Sequence, residues 1–239
     1  MTGPLNRRDA LSLIALTAAS GALATRPGLA QDAQLSGPAV CTITPETTEG
    51  PYYFDPALER VDVTEGRTGW PARLRILIVD ENCRPIPGAR VDIWHCDAEG
   101  IYSGYPNQPG GLDTRGQSFM RGTQFADGSG FVEFATVYPG WYPGRTPHIH
   151  FKVFLNETTV LTGQIFFPDE ATDRIYATHA PYNARSTGRT RNDNDGIARR
   201  AGPEAVAMVE ERDDGVLVTM TIGVEPPGQF GGMSFPSSG

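Results

Sequence analysis

Cysteine is scarce in this chain, at 3 of 239 residues, and no two stand in the C-x-x-C spacing that commonly opens a structural zinc site. Histidine numbers only four, His95, His148, His150 and His179, so a site built from imidazole has few places to be. Positive charge is short as well. With 20 Lys+Arg against 28 Asp+Glu the net charge is −8, a poor balance for binding nucleic-acid phosphates. Apolar runs long enough to cross a bilayer, ~20 residues, are missing. What is plentiful is glycine, at 28, and proline, at 20, which favours a fold of strands joined by many turns. A hydrophobic share of 39% in a chain of this length suits one domain of moderate size with a full core.

The N-terminus stands apart from that domain. Arg7-Arg8 is followed by Asp9, by an Ala-rich apolar run from Ala10 to Ala24, and by small residues at Gly28 and Ala30. A basic start, a modest apolar stretch and small residues at its end predict a cleavable export signal over residues 1–30. The paired arginines point to the twin-arginine route. The run is short and carries Ser, Thr and Gly, which argues against a membrane anchor. Cleavage removes Arg7, Arg8 and Arg26 against Asp9, taking the net charge from −8 to −10. Residues 31–40 read as a linker and 41–239 as a single domain. The expectation is an exported protein, periplasmic or extracellular, without stable membrane insertion.

In an oxidising compartment three cysteines imply one disulfide and one free thiol. Cys83 falls in the turn of a predicted hairpin and Cys96 at the far end of its second strand. At ~3.3 Å per strand residue these two are too far apart to bridge, so any disulfide is expected to use Cys41.

Strand signals dominate after the linker. Leu74, Ile76 and Ile78 alternate with Arg73, Arg75 and Leu77, a half-buried strand that stops at Asp80-Glu81-Asn82. Cys83-Arg-Pro-Ile-Pro-Gly88 turns the chain into Ala89–His95, with Val91 and Ile93 on one face. Asp127-Gly-Ser-Gly130 is a tight turn before Phe131–Tyr138, and His148–Leu155, Val160–Phe167 and Val216–Val224 complete the set. Only Asp169–Ala177 and Pro203–Glu211 read as helical. The prediction is an all-β fold, an antiparallel β-sandwich with one or two short helices. The long loops at residues 97–121 and 178–200 are candidates for function.

The sharpest feature is Tyr138-Pro-Gly-Trp-Tyr142-Pro-Gly-Arg145-Thr-Pro-His148-Ile-His150-Phe. Side chains two apart on a strand share a face, so His148 and His150 project together while Ile149, Phe151 and Val153 face the core. Two adjacent imidazoles behind a Pro/Gly loop form a ready pair of metal ligands. The plain alternative for an isolated H-x-H is two surface histidines; Tyr142 and Arg145 close by weigh against it. A zinc site needs a further His or carboxylate. His95 reads as a packed or surface residue, and His179 as a loop residue without obvious partners. Residues 138–155 hold no carboxylate for a 2-His-1-carboxylate iron(II) site. They do hold tyrosine, whose phenolate is a hard anionic ligand that favours Fe(III).

These segments together resemble the intradiol ring-cleavage dioxygenases, the family of protocatechuate 3,4-dioxygenases and catechol 1,2-dioxygenases. The resemblance runs roughly from Thr44 to Phe167. It is carried by Thr48-Glu-Gly-Pro-Tyr52, Pro87-Gly-Ala-Arg-Val-Asp-Ile-Trp94, Gly100-Ile-Tyr102, Gly130-Phe-Val-Glu-Phe134, Tyr142-Pro, Arg145-x-x-His148-Ile-His150-Phe and Gln164-Ile-Phe-Phe167. It implies a mononuclear non-haem Fe(III) held by Tyr102, Tyr142, His148 and His150. It further implies that Tyr142 leaves the metal and acts as base when substrate binds, that Arg145 stabilises negative charge on the ring, and that Gln164 stands near the iron. The implied reaction is O2-dependent cleavage of a catechol between its hydroxyl-bearing carbons to a cis,cis-muconate-type product. Catechol 1,2-dioxygenases usually carry a long helical N-terminal region; with only about ten to twenty residues between the expected signal and the first motif, the chain is expected to be more like the protocatechuate-type core or the small secreted members. Catechol, protocatechuate, hydroxyquinol and lignin-derived catechols all stay open as substrates. Two other readings compete: a transthyretin-like or carbohydrate-binding β-module without catalysis, suggested by Pro85–Trp94, and a zinc-dependent hydrolase using His148, His150 and one further ligand.

Overall fold

The alternation read at residues 73–78 becomes β1 (Pro71–Val79) in the computed structural model, which describes residues 42–55, 57–185 and 187–225. Its apolar side chains Leu74, Ile76 and Ile78 are wholly buried. The strands that follow are β2 (Arg90–Trp94), β3 (Arg121–Phe125), β4 (Phe131–Val137), β5 (His148–Leu155), β6 (Thr158–Phe166), β7 (Met208–Arg212) and β8 (Gly215–Gly223). They form two four-stranded sheets, ordered β4-β1-β8-β7 and β3-β2-β5-β6. A shared core fills the space between them. Leu74, Ile76 and Val218 of one sheet belong to the same apolar cluster as Val91, Phe151 and Ile165 of the other. The expected sandwich is therefore present. The export signal at residues 1–30, the linker at 31–40 and Cys41 lie outside the described residues.

Three expectations are corrected. The sheets are not antiparallel throughout, because β1 and β8 pair in parallel from Ala72–Val216 to Val79–Gly223. A parallel pair needs a long crossover, and here the intervening chain provides it. The predicted hairpin of β1 and β2 is not one, since the two strands belong to opposite sheets. Their apolar faces meet across the core instead of their backbones pairing. Finally, Pro203–Glu211 is not a helix. Only Pro203–Ala205 makes a short 3-10 turn, and β7 follows, paired antiparallel to β8 from Met208–Thr219 to Arg212–Gly215. Backbone pairing on the edge of a sheet overrides the helix preference of Ala, Met and Glu there.

Two α-helices are present among the described residues. The first, α1 (Asp169–Thr178), matches the predicted segment and buries Ala171, Thr172, Ile175 and Tyr176. The second, α2 (Gly196–Ala201), begins inside the segment read as loop and is capped by Asp195, whose carboxylate accepts from the Ile197 and Ala198 amides. No helix among the described residues is long and apolar enough to cross a membrane. Cys83 is disulfide-bonded, while Cys96 is a buried free thiol, which agrees with the expectation that these two do not bridge.

The second sheet is held close by a glycine. Gly163 on β6 stands opposite Phe151 on β5, and a Cβ there would intrude on the Phe151 ring. Phe151 is fully buried, and protein interiors are close-packed. Gly163→Ala is expected to destabilise the fold by about 1–3 kcal/mol, the usual cost of overpacking, read as a lower urea midpoint. An unchanged midpoint would show that the ring moves without cost.

Candidate active site

The pleat of β5 sends Ile149, Phe151 and Val153 into the core and turns His148 and His150 to the sheet's other face. The register then lines up a row on that face. Arg121 of β3 stands opposite Trp94 of β2, Trp94 opposite His150 of β5, and His150 opposite Gln164 of β6. All four are about 1–2% exposed, because loops cover the sheet here. Trp94 stacks on His150 with centroids 4.8 Å apart and an interplanar angle of 13°.

Two of the covering loops bring tyrosines. Tyr142-Pro143-Gly144-Arg145 is a tight turn, closed by the Arg145 amide on the Tyr142 carbonyl at 3.3 Å. Gly144 has φ 85°, so proline and glycine occupy the positions a type II turn prefers. Tyr102 comes from the loop after β2 and is fully buried under Tyr52, which stacks on it at 4.4 Å. The loops touch backbone to backbone. A Cβ on Gly100 would strike the Trp141 carbonyl, and one on Gly140 the Ala98 carbonyl. Arg185 clamps the same place, donating to the Glu99 and Trp141 carbonyls while its own carbonyl accepts from Trp141 Nε1 at 2.9 Å.

All four expected donors meet at one point. The His148 Nε2 lies 3.1 Å from His150 Nε2, 3.2 Å from Tyr142 Oη and 3.4 Å from Tyr102 Oη. Donors bound to one ion at about 2 Å stand about 3 Å apart, so these separations suit a shared cation. The tautomer of His148 agrees. Its Nδ1 sits 2.6 Å from the Thr146 carbonyl, which can only accept, so Nδ1 carries the proton and Nε2 offers a lone pair to the cluster. The ring of His150 is held by stacking, and its buried Nδ1 has no hydrogen-bond partner. Among the described residues no group of three or more His, Cys, Asp or Glu side chains could hold a metal. The zinc-hydrolase reading needs such a third ligand, and the described residues do not supply one.

Burial sets the electrostatics. Desolvation pushes the Tyr142 phenol up to about 12, and Tyr102 well above its ordinary value with help from its neighbour Tyr142. Desolvation and the Arg145 charge hold His148 down to about 3; desolvation and His148 hold His150 well below its usual range. The pocket therefore favours four neutral donors until a cation compensates phenolate charge. Arg145 stands at the rim of this cluster with Nη1 3.4 Å from His148 Nε2. Its Nη2 donates to Gln164 Oε1, and Gln164 Nε2 donates to the Thr48 carbonyl at 2.9 Å. Tyr102, Tyr142, Arg145, His148, His150 and Gln164 are thus in one place.

Other histidines and tyrosines are elsewhere. His95 is fully buried, with Nδ1 2.8 Å from the Cys96 carbonyl and Nε2 2.8 Å from Thr136 Oγ1, a packed residue and not a ligand. His179 stacks on Trp70. Tyr138 is buried in the core against Thr172, and Tyr105 donates to the Tyr53 carbonyl.

Two residues escaped the sequence reading. Arg121 is 1% exposed and donates to Ser103 Oγ, the Ser103 carbonyl and the Tyr52 carbonyl at 2.6–2.8 Å, stitching the Tyr102 loop to residues 52–54. Burial pulls its guanidinium down to about 10. Asp195, equally buried, accepts from Arg145 Nε at 2.8 Å and from the Thr146 amide at 2.9 Å. Burial pushes its carboxyl upward, but the Thr146 and Arg145 hydrogen bonds and the Arg145 charge outweigh this and hold it below the ordinary value. The signal for Asp195 was its place before Gly196 at a helix start. Nothing in the local sequence of either residue indicates the partner.

Fold and site together define a class: a two-sheet sandwich carrying a buried two-histidine, two-tyrosine cluster on one outer face. A family model described as "Dioxygenase" matches residues 48–181, more than half of the chain. The intradiol ring-cleavage dioxygenase from Tetranychus urticae is 34% identical and superposes with a TM-score of 0.73, over 78% of this chain and 96% of that one. The dioxygenase domain of a dioxygenase carbohydrate-binding protein fusion from Streptomyces sp. SirexAA-E is 27% identical, with a TM-score of 0.59 over 77% and 99%. Catechol 1,2-dioxygenase from Pseudomonas sp. (strain EST1001) is 36% identical over 107 residues, 41% of this chain and 32% of that protein. The chain thus spans about a third of that curated relative's length. It belongs to the intradiol ring-cleavage dioxygenase family.

The buried His95 makes stability sensitive to acid. Its folded value, about 4, is below its ordinary value of 6.5, first because burial disfavours the imidazolium. Its contribution is therefore fully present above about pH 6.5 and is lost as pH falls towards 4, by about 3 kcal/mol at most. His95→Gln is expected to flatten the fall of the urea midpoint across this window; an unchanged pH profile would remove His95 as its source.

Proposed function

We propose that the protein is an exported Fe(III)-dependent dioxygenase that cleaves a catechol between its two hydroxyl-bearing carbons, incorporating both atoms of O2 into a cis,cis-muconate-type product. The observation that carries this reading is the meeting of Tyr102, Tyr142 and His150 within 3.1–3.4 Å of the His148 Nε2. A binding module has no use for such a cluster, and the family membership supports the same chemistry. Two phenolates and two neutral imidazoles are a hard donor set of net charge −2, which suits a ferric ion and leaves positive charge for a bound catecholate. When bound, the ferric ion supplies Lewis acidity and a template for substrate.

The chain's own residues have separable tasks. Tyr102, buried under Tyr52, is fixed and stays in the set. Tyr142 is half-buried on a turn at the rim, so its phenolate is the one free to swing out and take a proton from an incoming catechol. A phenolate takes up a proton readily near neutral pH, which makes Tyr142 a competent base once displaced. Arg145 offers a fixed positive charge beside the cluster, where exclusion of water makes it most effective on a developing anion. Gln164 and Trp94 keep Arg145 and His150 in position. The Arg7-Arg8 pair and the apolar run from Ala10 to Ala24, read as a twin-arginine-type signal, support export of a protein folded with its metal. Catechol, protocatechuate, hydroxyquinol and lignin-derived catechols are the substrates to assay.

Aerobically purified protein is expected to contain iron, to absorb in the visible from tyrosinate-to-iron charge transfer, and to consume O2 with catechols. A colourless preparation that takes up no iron and turns over none of them would overturn the reading. His148→Ala and Tyr142→Phe should lose iron or colour together with most activity; wild-type iron content and turnover in both would refute the ligand set. Arg145→Ala should keep its iron yet turn over about 10²–10³-fold more slowly, measured as O2 uptake per iron.

A further inference from the structure

A guanidinium has three nitrogens from which to donate, and the direction of each decides where its charge lies. In Arg145 two of the three are already committed. Nη2 donates to the Gln164 Oε1 and Nε to the Asp195 Oδ2 at 2.8 Å, so only the Nη1 side faces the donor cluster, 3.4 Å from His148 Nε2. The Arg145 side chain is 17% exposed and that of Asp195 only 1%. Such a pair costs desolvation and persists where every lone pair is used. Here every one is. Asp195 Oδ2 accepts from Arg145 Nε and the Thr146 amide, and Oδ1 accepts from the Ile197 and Ala198 amides at 2.8 and 3.2 Å.

We propose that Asp195 is a positioning residue for the reaction: its carboxylate, set at the start of α2, aims the Arg145 guanidinium at the ring-cleavage centre and, through Thr146, steadies His148. This rests on the intradiol reading of the site. The second route runs through the backbone. Thr146 donates its amide to Asp195 and its hydroxyl to Asn192 Oδ1 at 2.9 Å, while its carbonyl accepts a hydrogen bond from His148 Nδ1. Asn192 in turn donates to the Phe167 carbonyl at 2.7 Å, tying the segment before α2 to the end of β6. A segment some fifty residues beyond the histidine pair in the chain therefore orients both the charge and one of the proposed ligands.

The chemistry of an amide makes the test sharp. Four donors converge on the two oxygens of Asp195, and asparagine has one oxygen and one NH2 group. In Asp195→Asn the oxygen can serve the helix amides or the Arg145 and Thr146 donors, but not both. The other pair then faces N–H against N–H. The shape is kept, and either the orienting contact or the helix cap that fixes the side chain in place is lost.

The experiment is a double-mutant cycle on the iron-loaded full chain, using Asp195→Asn, Arg145→Ala and the pair. Two quantities are read for each: kcat/KM per bound iron, and the Kd for catechol from anaerobic visible titration. Asp195→Asn alone is expected to lower kcat/KM about 10–100-fold, the usual cost of losing a partner that orients a metal site, and to weaken catechol binding. In the Arg145→Ala background the same change should cost less than about threefold in either quantity, because the group it aims is gone and only the weaker route through Thr146 to His148 remains. Equal losses in both backgrounds would mean that Asp195 only holds the segment in place, which overturns the proposal. So would wild-type values in Asp195→Asn. A parent protein that binds iron but cleaves no catechol overturns the functional reading itself and this role with it, a result distinct from an active parent with additive losses.

Discussion

The pleat of a single strand governs this molecule. Along β5, Ile149, Phe151 and Val153 occupy the core between the sheets, and this leaves His148 and His150 no choice but the opposite face. A slip of one residue would bury the imidazoles among aliphatic side chains and expose the aromatic and aliphatic ones. The hydrophobic effect on one face therefore sets the position of the polar chemistry on the other. Pairing extends the effect sideways, because the same register places Trp94 and Gln164 on either side of His150. The site is built outward from that row.

What lies over the row is less regular and no less determined. The loops bearing Tyr102 and Tyr142 approach so closely that glycine is required at positions 100 and 140. Arg185 and Arg121 then fasten them with hydrogen bonds to carbonyl oxygens, not to carboxylates. Arginine suits this task because its fork of donors can hold several backbone segments at once. In the case of Arg121 the cost is a buried cation whose burial pulls its guanidinium down to about 10. The same desolvation raises both phenols and lowers both imidazoles of the cluster. A protein interior that disfavours each charge singly is the setting in which a ferric ion, phenolates and a catecholate, as proposed here, stabilise one another most strongly.

The family model covers only part of what builds the site. The matched residues, 48–181, contain all four donors, Arg145 and Gln164. Asp195 and α2 lie beyond them, in a segment whose contacts with Thr146 make it part of the site nonetheless. Functional residues at such a distance along the chain are the ones most easily passed over.

Periodicity and motif spacing made much of this protein legible beforehand. The alternation at residues 73–78 determined β1, the H-x-H phase determined which way the imidazoles point, and the Tyr-Pro-Gly-Arg turn placed Tyr142 beside Arg145. These are local properties, decided by side-chain pattern and backbone sterics within a few residues. Tertiary structure decided the rest. That β1 pairs in parallel with β8 and not with β2, that residues 208–212 form an edge strand in spite of their helix preference, and that Asp195 meets Arg145 all depend on residues brought from far along the chain. Such contacts leave no periodic trace in either partner. They arise only when burial of the shared core brings the segments together and leaves each buried donor in need of an acceptor.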